Sequence, residues 1–330
     1  MTLCEQQLGV KVETTKKTNI ISSLQRASGL FLLILVATIF TLLSDLFLTV
    51  SNFTNIALQT SVVAVATIGM TLTMLMAGID LSVGSIAAFS GAIVAGLMTR
   101  NGIPMPVAIF LGIAIGSILG SINGVLSVYG KLPPFVATLA MLGIARGLTL
   151  VYTEGKPISG LDESFTFLGS GKLGPVPMPV VIWLVVLLIM FLILRYTKFG
   201  LYIYAIGGNE ETARFAGIPT NRIKTIIYAL SGALASLTGI LLTARLWSAQ
   251  PQMAAGLELD AIAASVLGGV SLFGGVGSVV GACIGVLIIG MLGNGLNLLR
   301  VPSYYQQVIK GVVFILAVIF DMYAKRQAKK

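Results

Sequence analysis

The polar residues with the clearest chemical potential lie in the segment GIDLSVGS, residues 78–85, between two apolar stretches. The carboxylate of Asp80 is followed by the hydroxyls of Ser82 and Ser85, and Asn123 adds an amide in a later apolar stretch. Such groups can hydrogen-bond a polar solute. A carboxylate can instead cap the following helix, where it satisfies exposed N–H groups. Two roles are therefore open for Asp80: helix capping, or lining a pathway together with Ser82, Ser85 and Asn123.

Further charged and amide side chains interrupt apolar stretches. Arg146, in MLGIARGLTLVY, is an expected intramembrane charge that needs a partner, and Glu154 and Asp80 are both possible. Asp260 stands in GLELDAIAA at a predicted helix start, where capping is expected. Three asparagines could hydrogen-bond a polyhydroxylated solute or bond between helices: Asn123, Asn294 and Asn297.

Several kinds of chemistry lack the residues that they require. The chain has no histidine, which removes Ser-His-Asp and Cys-His activation and every histidine metal site. Its two cysteines, Cys4 and Cys283, predict neither a disulfide nor a metal site. A phosphate-binding loop needs Gly-Lys followed by Ser or Thr, whereas Lys156 precedes proline and Lys172 precedes leucine. We therefore expect no enzyme activity, no bound metal and no cofactor bound by this chain.

The composition indicates which elements hold these residues. The 330 residues are 56% hydrophobic and 10% charged, with a mean hydropathy of +0.97. Soluble domains carry about 25% charged residues, and a spanning helix needs about 20 apolar residues. The apolar runs do not alternate as the strands of a membrane barrel do. The sequence thus predicts an all-α polytopic membrane protein whose first apolar run is an uncleaved helix.

About ten transmembrane helices are predicted, at residues 28–48, 56–77, 82–99, 106–128, 135–152, 179–195, 224–245, 259–272, 278–297 and 304–323. With the N-terminus in the cytoplasm, the cytoplasmic segments hold 14 of the 21 Lys and Arg residues, the external segments hold 5, and 2 fall within helices. This bias predicts that both termini are cytoplasmic. It also explains the net charge of +9 by contact with membrane lipid, with no nucleic acid partner.

The predicted organisation is a cytoplasmic tail at 1–26, one transmembrane domain at 27–324 and a basic cytoplasmic tail at 325–330. The external segment 153–178 is either a docking surface or a passive connector. The glycine-rich segments 77–98 and 267–292 break pairs of apolar runs and resemble an internal repeat. Glycines recur at four-residue spacing in two predicted helices: Gly112, Gly116, Gly120 and Gly124 in one, and Gly277, Gly281 and Gly285 in the other. Such stripes favour close helix packing, or a seam that slides.

The segment 195–224 is the one long, highly charged stretch inside the apolar region, and the topology places it in the cytoplasm. Turning the chain requires only about two to six residues. A short amphipathic helix is predicted to begin near Asn209, which is a good N-cap, with Glu210 and Glu211 in its first turn. Ala213 and Ala216 would leave a small surface for a partner, and Gly217 would end the helix.

Several motifs together resemble one family, the membrane permeases of bacterial ATP-binding-cassette (ABC) importers for monosaccharides. They are GIDLSVGS, FVATLAMLGIARGLTLVYTEGKPI, GNEETARFAGI, YALSGALASLTGILLTARLWSAQP, LELDAIAASVLGG and NGLNLLRVPSYYQQVIKG. The resemblance runs from about residue 42 to residue 323. It implies a multi-pass protein of the bacterial cytoplasmic membrane that imports a sugar, with ribose expected.

The resemblance also implies partners and a coupling element. The partners are a second copy of the chain, cytoplasmic ATP-binding subunits that use ATP and Mg²⁺, and a periplasmic or lipid-anchored sugar-binding protein. The ATPase-coupling residues implied are Asn209, Glu210, Glu211, Ala213 and Gly217. No quoted motif fixes the sugar contacts. The alternative function is a stand-alone secondary transporter or facilitator for a small polar solute.

Overall fold

The structure is a computed structural model that describes residues 29–328. Its helices are α1 (Gly29–Leu43), α2 (Val50–Leu75), α3 (Val83–Thr99), α4 (Met105–Val128), α5 (Pro134–Thr153), α6 (Glu163–Ser170), α7 (Met178–Tyr196), α8 (Lys198–Gly208), α9 (Glu210–Phe215), α10 (Thr220–Leu246), α11 (Leu257–Leu267), α12 (Val279–Leu298) and α13 (Ser303–Ala328). The strands have two residues each: β1 (Ile158–Ser159), β2 (Lys172–Leu173), β3 (Val176–Pro177) and β4 (Ser248–Ala249).

The predicted helical membrane architecture is confirmed in its coarse form. Among the described residues, six helices are long and apolar enough to cross a membrane, namely α2, α4, α5, α7, α10 and α12. Helices also form at the other four predicted positions, as α1, α3, α11 and α13. The count of ten crossings and the cytoplasmic placement of the termini stay predictions.

Two segments that were predicted to lie outside the long helices contain more helix than expected. The segment 195–224, predicted as a loop with one short helix, is mostly helical because α8 occupies residues 198–208. At the C-terminal end α13 continues to Ala328, so most of the predicted basic tail at 325–330 is helical. The predicted tail at 1–26 and Cys4 lie outside the described residues.

The core is built around α2 and α10, which bury most of their residues, whereas α4, α5 and α7 bury less than a third of theirs. The outward faces of these peripheral helices are large and apolar, as at Phe110, Ile144 and Leu188. Apolar groups cost nothing against lipid, so this distribution suits a bilayer rather than water.

The glycine stripe of α4 packs directly on α10. A Cβ atom added at Gly120 would overlap the backbone oxygen of Tyr228, and one added at Gly116 would overlap the side chain of Ser236. On the facing helix, Gly232 lies against the Gly116 carbonyl. The Ser117 hydroxyl adds a hydrogen bond of 3.1 Å to the oxygen of Ala229 on α10. The expectation of tight packing is therefore confirmed for α4.

The second glycine stripe is only partly helical. Gly281 and Gly285 face α11, where an added Cβ would overlap the carbonyls of Gly268 and Ala264. Gly277, however, precedes α12 and has φ +136°, so its place in the stripe was predicted wrongly. The cause is local: Ser278 caps the helix by accepting from the Gly281 N–H at 3.0 Å, which starts α12 one residue later.

The segment 153–178 contains α6 and the strands β1, β2 and β3, and it packs against one end of the helix bundle. Its helix α6 buries Phe165 completely and brings Gly169 against the backbone of Arg245 on α10. Strand β1 pairs with β4 in antiparallel register, Ile158 opposite Ala249, and β2 pairs with β3. The segment is therefore attached to the end of α10, although no partner for it is shown.

Candidate functional site: a buried polar cluster and the helix pair α8–α9

Asp80 lies at the centre of a buried polar cluster in the break between α2 and α3. Its side chain is fully buried. One carboxylate oxygen accepts from the backbone N–H of Ser82 at 3.0 Å and from the Ser82 hydroxyl at 2.5 Å. The other accepts from the hydroxyl of Ser231 on α10 at 2.8 Å. The carboxylate therefore joins the helix break to α10, and three donors offset the cost of its burial.

The cluster reaches a third element through Asn123 on α4. Its amide nitrogen donates to the Ser82 hydroxyl at 2.9 Å, while its amide oxygen is buried without a hydrogen-bond partner among the described residues. The hydroxyl of Tyr228, one turn before Ser231, is likewise buried and unpartnered there. The break is thus held against α4 and α10 at once.

The predicted pathway role of these residues stays a prediction. Asp80, Ser82 and Asn123 are 0% exposed and Ser85 is 1% exposed, so none of the four reaches a solute in this conformation. The capping expectation is also only half met, because Asp80 bonds the N–H of Ser82, the residue that precedes α3, and no N–H within the helix. Ser85 bonds back to the Ser82 carbonyl at 2.9 Å.

Both expected partners of Arg146 were wrong. Its guanidinium donates to the backbone oxygens of Pro251 and Met253, at 2.8 and 3.1 Å, rather than to Asp80 or Glu154. These carbonyls belong to the turn that precedes α11, more than 100 residues further along the chain. Arg146 therefore links α5 to that turn by hydrogen bonds. The residues around Arg146 in the sequence do not predict this role.

The remaining polar candidates also bond between elements. Asn294 donates to Asn52 on α2 at 2.9 Å, and Asn297 accepts from Gln306 on α13 at 2.8 Å. Asp260 does not cap α11, whose N-cap is Gly256. Its carboxylate instead forms an ion pair with Lys310 on α13.

The predicted short helix in the charged segment is confirmed as α9. The Asn209 side chain accepts from the Thr212 N–H at 2.8 Å, which is the expected N-cap, and Glu210 and Glu211 lie in the first turn. Gly217 follows the helix with φ +81°, a left-handed conformation that glycine adopts without strain. Glu210 also pairs with Lys224 at 2.9 Å, which attaches α9 to the start of α10.

The partner-facing side of α9 differs from the expectation. Ala213 is 4% exposed and packs into the core, so it contributes no outer surface. Phe215 is 82% exposed and was not singled out from the sequence. The exposed side chains on and beside the helix are those of Asn209, Glu211, Thr212, Arg214, Phe215 and Ala216. A six-residue helix with an exposed aromatic and both charge signs can bind a protein surface.

Helix α8 connects α9 to the interior through a glycine junction, defined by Gly207, Gly274 and Gly275 with the end of α2. The Gly275 N–H donates to the Leu75 oxygen at 2.9 Å. A Cβ atom at Gly207 would overlap that same oxygen, and one at Gly274 would lie 2.8 Å from the Ala77 nitrogen. Only four residues lie between Leu75 and Asp80.

Tyr204 of α8 adds a side-chain hydrogen bond to the loop that holds the glycine junction. Its hydroxyl donates to the Gly277 oxygen at 3.0 Å. Burial raises the pKa of Tyr204, which keeps the hydroxyl protonated as a donor. The helix pair α8–α9 is therefore bound both to the end of α2 and to the loop between α11 and α12.

Comparison with known proteins gives consistent similarities over most of the chain. Residues 52–318 match the family described as the branched-chain amino acid transport system / permease component. The chain is 48% identical to the ribose import permease protein RbsC of Escherichia coli K12, over 90% of this chain and 94% of that protein. It is 47% identical to RbsC of Bacillus subtilis strain 168, over 89% and 90% of the two chains. It is 40% identical to the D-allose transport system permease protein AlsC of Escherichia coli K12, over 88% and 90%. No solved structure matches the chain.

Proposed function

Because this chain belongs to the family of the branched-chain amino acid transport system permease component, we propose that it is the membrane subunit of an ABC importer for ribose. The observation that carries the proposal is the 48% identity, over 90% of the chain, to a protein named as a ribose import permease. A sugar is preferred to an amino acid because the relatives that align along the chain are named for ribose and allose. The protein is a multi-pass protein of the bacterial cytoplasmic membrane.

Energy enters through a separate ATP-binding subunit, which we place against α9. The helix is short, exposed on its outer side and capped at both ends, so it can sit in a groove of a partner as a rigid unit. The residues proposed to take part are Asn209, Glu211 and Gly217, which the family resemblance implies. Phe215 is included because its side chain is exposed beside them. Glu210 is assigned to holding α9 on α10, and Ala213 to packing.

The glycine junction supplies a route from α9 to the interior. A displacement of α8 acts directly on the Leu75 carbonyl, because the backbones touch at Gly207. From there the chain runs through the break to Asp80, which is bonded to α10 and, through Ser82, to α4. We propose that ATP-driven motion of α9 reorients the α2–α3 break and the buried polar cluster as one unit.

The complete importer would contain two copies of this chain, ATP-binding subunits and an extracytoplasmic binding protein that delivers the sugar. The binding protein would supply most of the recognition, so the membrane subunit needs little affinity of its own.

Uptake in reconstituted vesicles tests the proposal. We expect labelled ribose to enter vesicles only when the ATP-binding subunit, ATP and the loaded binding protein are all supplied. Uptake by the chain alone would refute the importer and favour the stand-alone transporter. A complete system that imports D-allose but excludes ribose would change the assigned sugar and leave the class intact.

A further inference from the structure

A cavity of about 460 Å³ lies between α11, α12 and α13. Its volume falls within the range of about 300–1,000 Å³ that is usual for small-molecule sites. The wall is mostly apolar, with Ala263 and Leu292 among its residues. Its polar groups are the carboxylate of Asp260, the ammonium of Lys310 and the amide of Gln307.

The charged pair in this cavity lies beside α12, a helix that is long and apolar enough to cross a membrane. Lys310 is seven residues from the start of α13, which corresponds to about 10 Å along the helix. Leu292 and Ile289 lie at similar distances from the end of α12. Charges beside a membrane-spanning helix, whose surroundings are a hydrocarbon core about 30 Å thick, are costly and usually functional.

The pair is close but not sealed. The Lys310 nitrogen lies 2.9 and 3.2 Å from the two oxygens of Asp260. The side chains keep 33% and 30% of their exposure, respectively. The pair therefore presents a carboxylate acceptor and an ammonium donor to the cavity.

One face of α13 completes the site. Gln307, Lys310 and Phe314 are spaced three and four residues apart, so they follow one another along the same side of the helix and all line the cavity. This face offers an amide, an ammonium and an aromatic ring. Hydroxyl groups can bond to the first two and to Asp260, while the C–H face of a sugar ring can pack on the aromatic ring.

We propose that this cavity is a sugar-contacting subsite of the membrane subunit, with Asp260 and Lys310 as its polar contacts and Phe314 as its apolar floor. The ligand class is a neutral monosaccharide, for which a zwitterionic pair is better suited than a single charge. The proposal rests on the proposed import of a sugar and assigns that function a place in the chain.

The first experiment measures ribose uptake, in vesicles with all components, by Asp260→Asn, by Lys310→Met and by the charge exchange Asp260→Lys/Lys310→Asp. Each single variant is expected to lower uptake about tenfold or more, since a hydrogen bond to a charged group contributes about 1.5–3 kcal/mol. The exchanged pair keeps a neutral total charge but reverses which helix presents the acceptor. We expect it to remain as impaired as the single variants while accumulating in the membrane like the native chain.

Val312→Ala is the matched control, because Val312 lies on the same helix, is 51% exposed and is not part of the cavity wall. It is expected to retain native uptake. Native uptake by the charge exchange would show that the pair is only structural and would overturn the subsite. If the native chain imports no ribose even with all components, the proposed function fails first, so the two failures are distinguishable.

A second measurement does not depend on turnover. In a chain whose native cysteines are replaced by serine, Leu259→Cys places a thiol on the cavity wall at a residue that is 58% exposed. Ribose at saturating concentration is expected to slow its reaction with a polar thiol reagent, and to leave Val312→Cys unaffected. Equal reaction rates with and without ribose at both positions would count against the subsite.

Discussion

Gly207 and Gly208 are neighbours at the end of α8. Replacing each with alanine distinguishes two effects: loss of the contact between α8 and the end of α2, and a general change in helix stability. A Cβ atom at Gly207 would overlap the Leu75 oxygen, which also accepts from the Gly275 N–H. A Cβ atom at Gly208 meets no other atom within 4 Å. The same chemical change is therefore obstructed at one residue and free at the next.

The magnitude follows from the contacts. Overpacking against backbone costs about 1–3 kcal/mol, and the loss of the Gly275 hydrogen bond adds about 1 kcal/mol. Alanine in a helix returns up to about 1 kcal/mol relative to glycine. Gly207→Ala is thus expected to bias the junction by about 2 kcal/mol, which is more than tenfold in a conformational equilibrium. Gly208→Ala is expected to be neutral or slightly stabilising.

The assay measures ATP hydrolysis and ribose uptake in the same vesicles and compares their ratio. We expect Gly207→Ala to lower the sugar imported per ATP hydrolysed, because α8 no longer bears on the end of α2 in its native position. Gly208→Ala should keep the native ratio. The reasoning is refuted if both variants, inserted in equal amounts, keep the native ratio.

Three further changes test the packing, the polar cluster and the proposed coupling helix α9. Gly120→Ala overlaps the backbone of α10 and should lower the free energy of unfolding in mixed micelles by about 1–2 kcal/mol. Gly147→Ala, with no atom within 4 Å, should not lower it, and equal stability of the two variants would contradict the close packing. Asp80→Ala leaves three donors without their acceptor and should lower the free energy of unfolding by at least about 3 kcal/mol. Asp80→Asn should lower it less and retain uptake, an outcome that a charged pathway role would not allow. Gly217→Arg should insert normally, and the partner subunit should then hydrolyse ATP without sugar import. Gly217→Ala, which bears the same backbone cost at φ +81° without the long side chain, should retain most uptake; equal loss in both would assign the effect to the backbone.

The features predicted well from the sequence are those with local causes. Asn209 caps α9 because its side chain and the Thr212 N–H lie three residues apart, and the two following glutamates favour the same start. Long apolar runs predict spanning helices for the same reason, since each needs only its own residues. The close packing of α4 was also predictable, because four-residue spacing places its glycines on one side of the helix.

The features that were missed depend on distant residues. Asp80 is bonded by Ser231, which is 151 residues away, and Arg146 by carbonyls 105 and 107 residues away. Helical and strand periodicities do not predict hydrogen bonds between residues so far apart in the sequence. Ala213 faces inward because of where α9 lies on α10, which helix periodicity alone does not fix. The ion pair between Asp260 and Lys310 was missed for the same reason, because the two residues are 50 positions apart in the sequence.

The contact between α4 and α10 has a consequence for motion during transport. At Gly120 and Gly232 the backbones of the two helices meet with no side chain between them, so there is no layer of rotamers at these residues that could rearrange to let one helix slip past the other. The hydrogen bond from Ser117 to the Ala229 carbonyl adds a polar link. We therefore expect α4 and α10 to move together as one rigid body during transport. The backbone should then bend only at the breaks at residues 76–82 and 268–278.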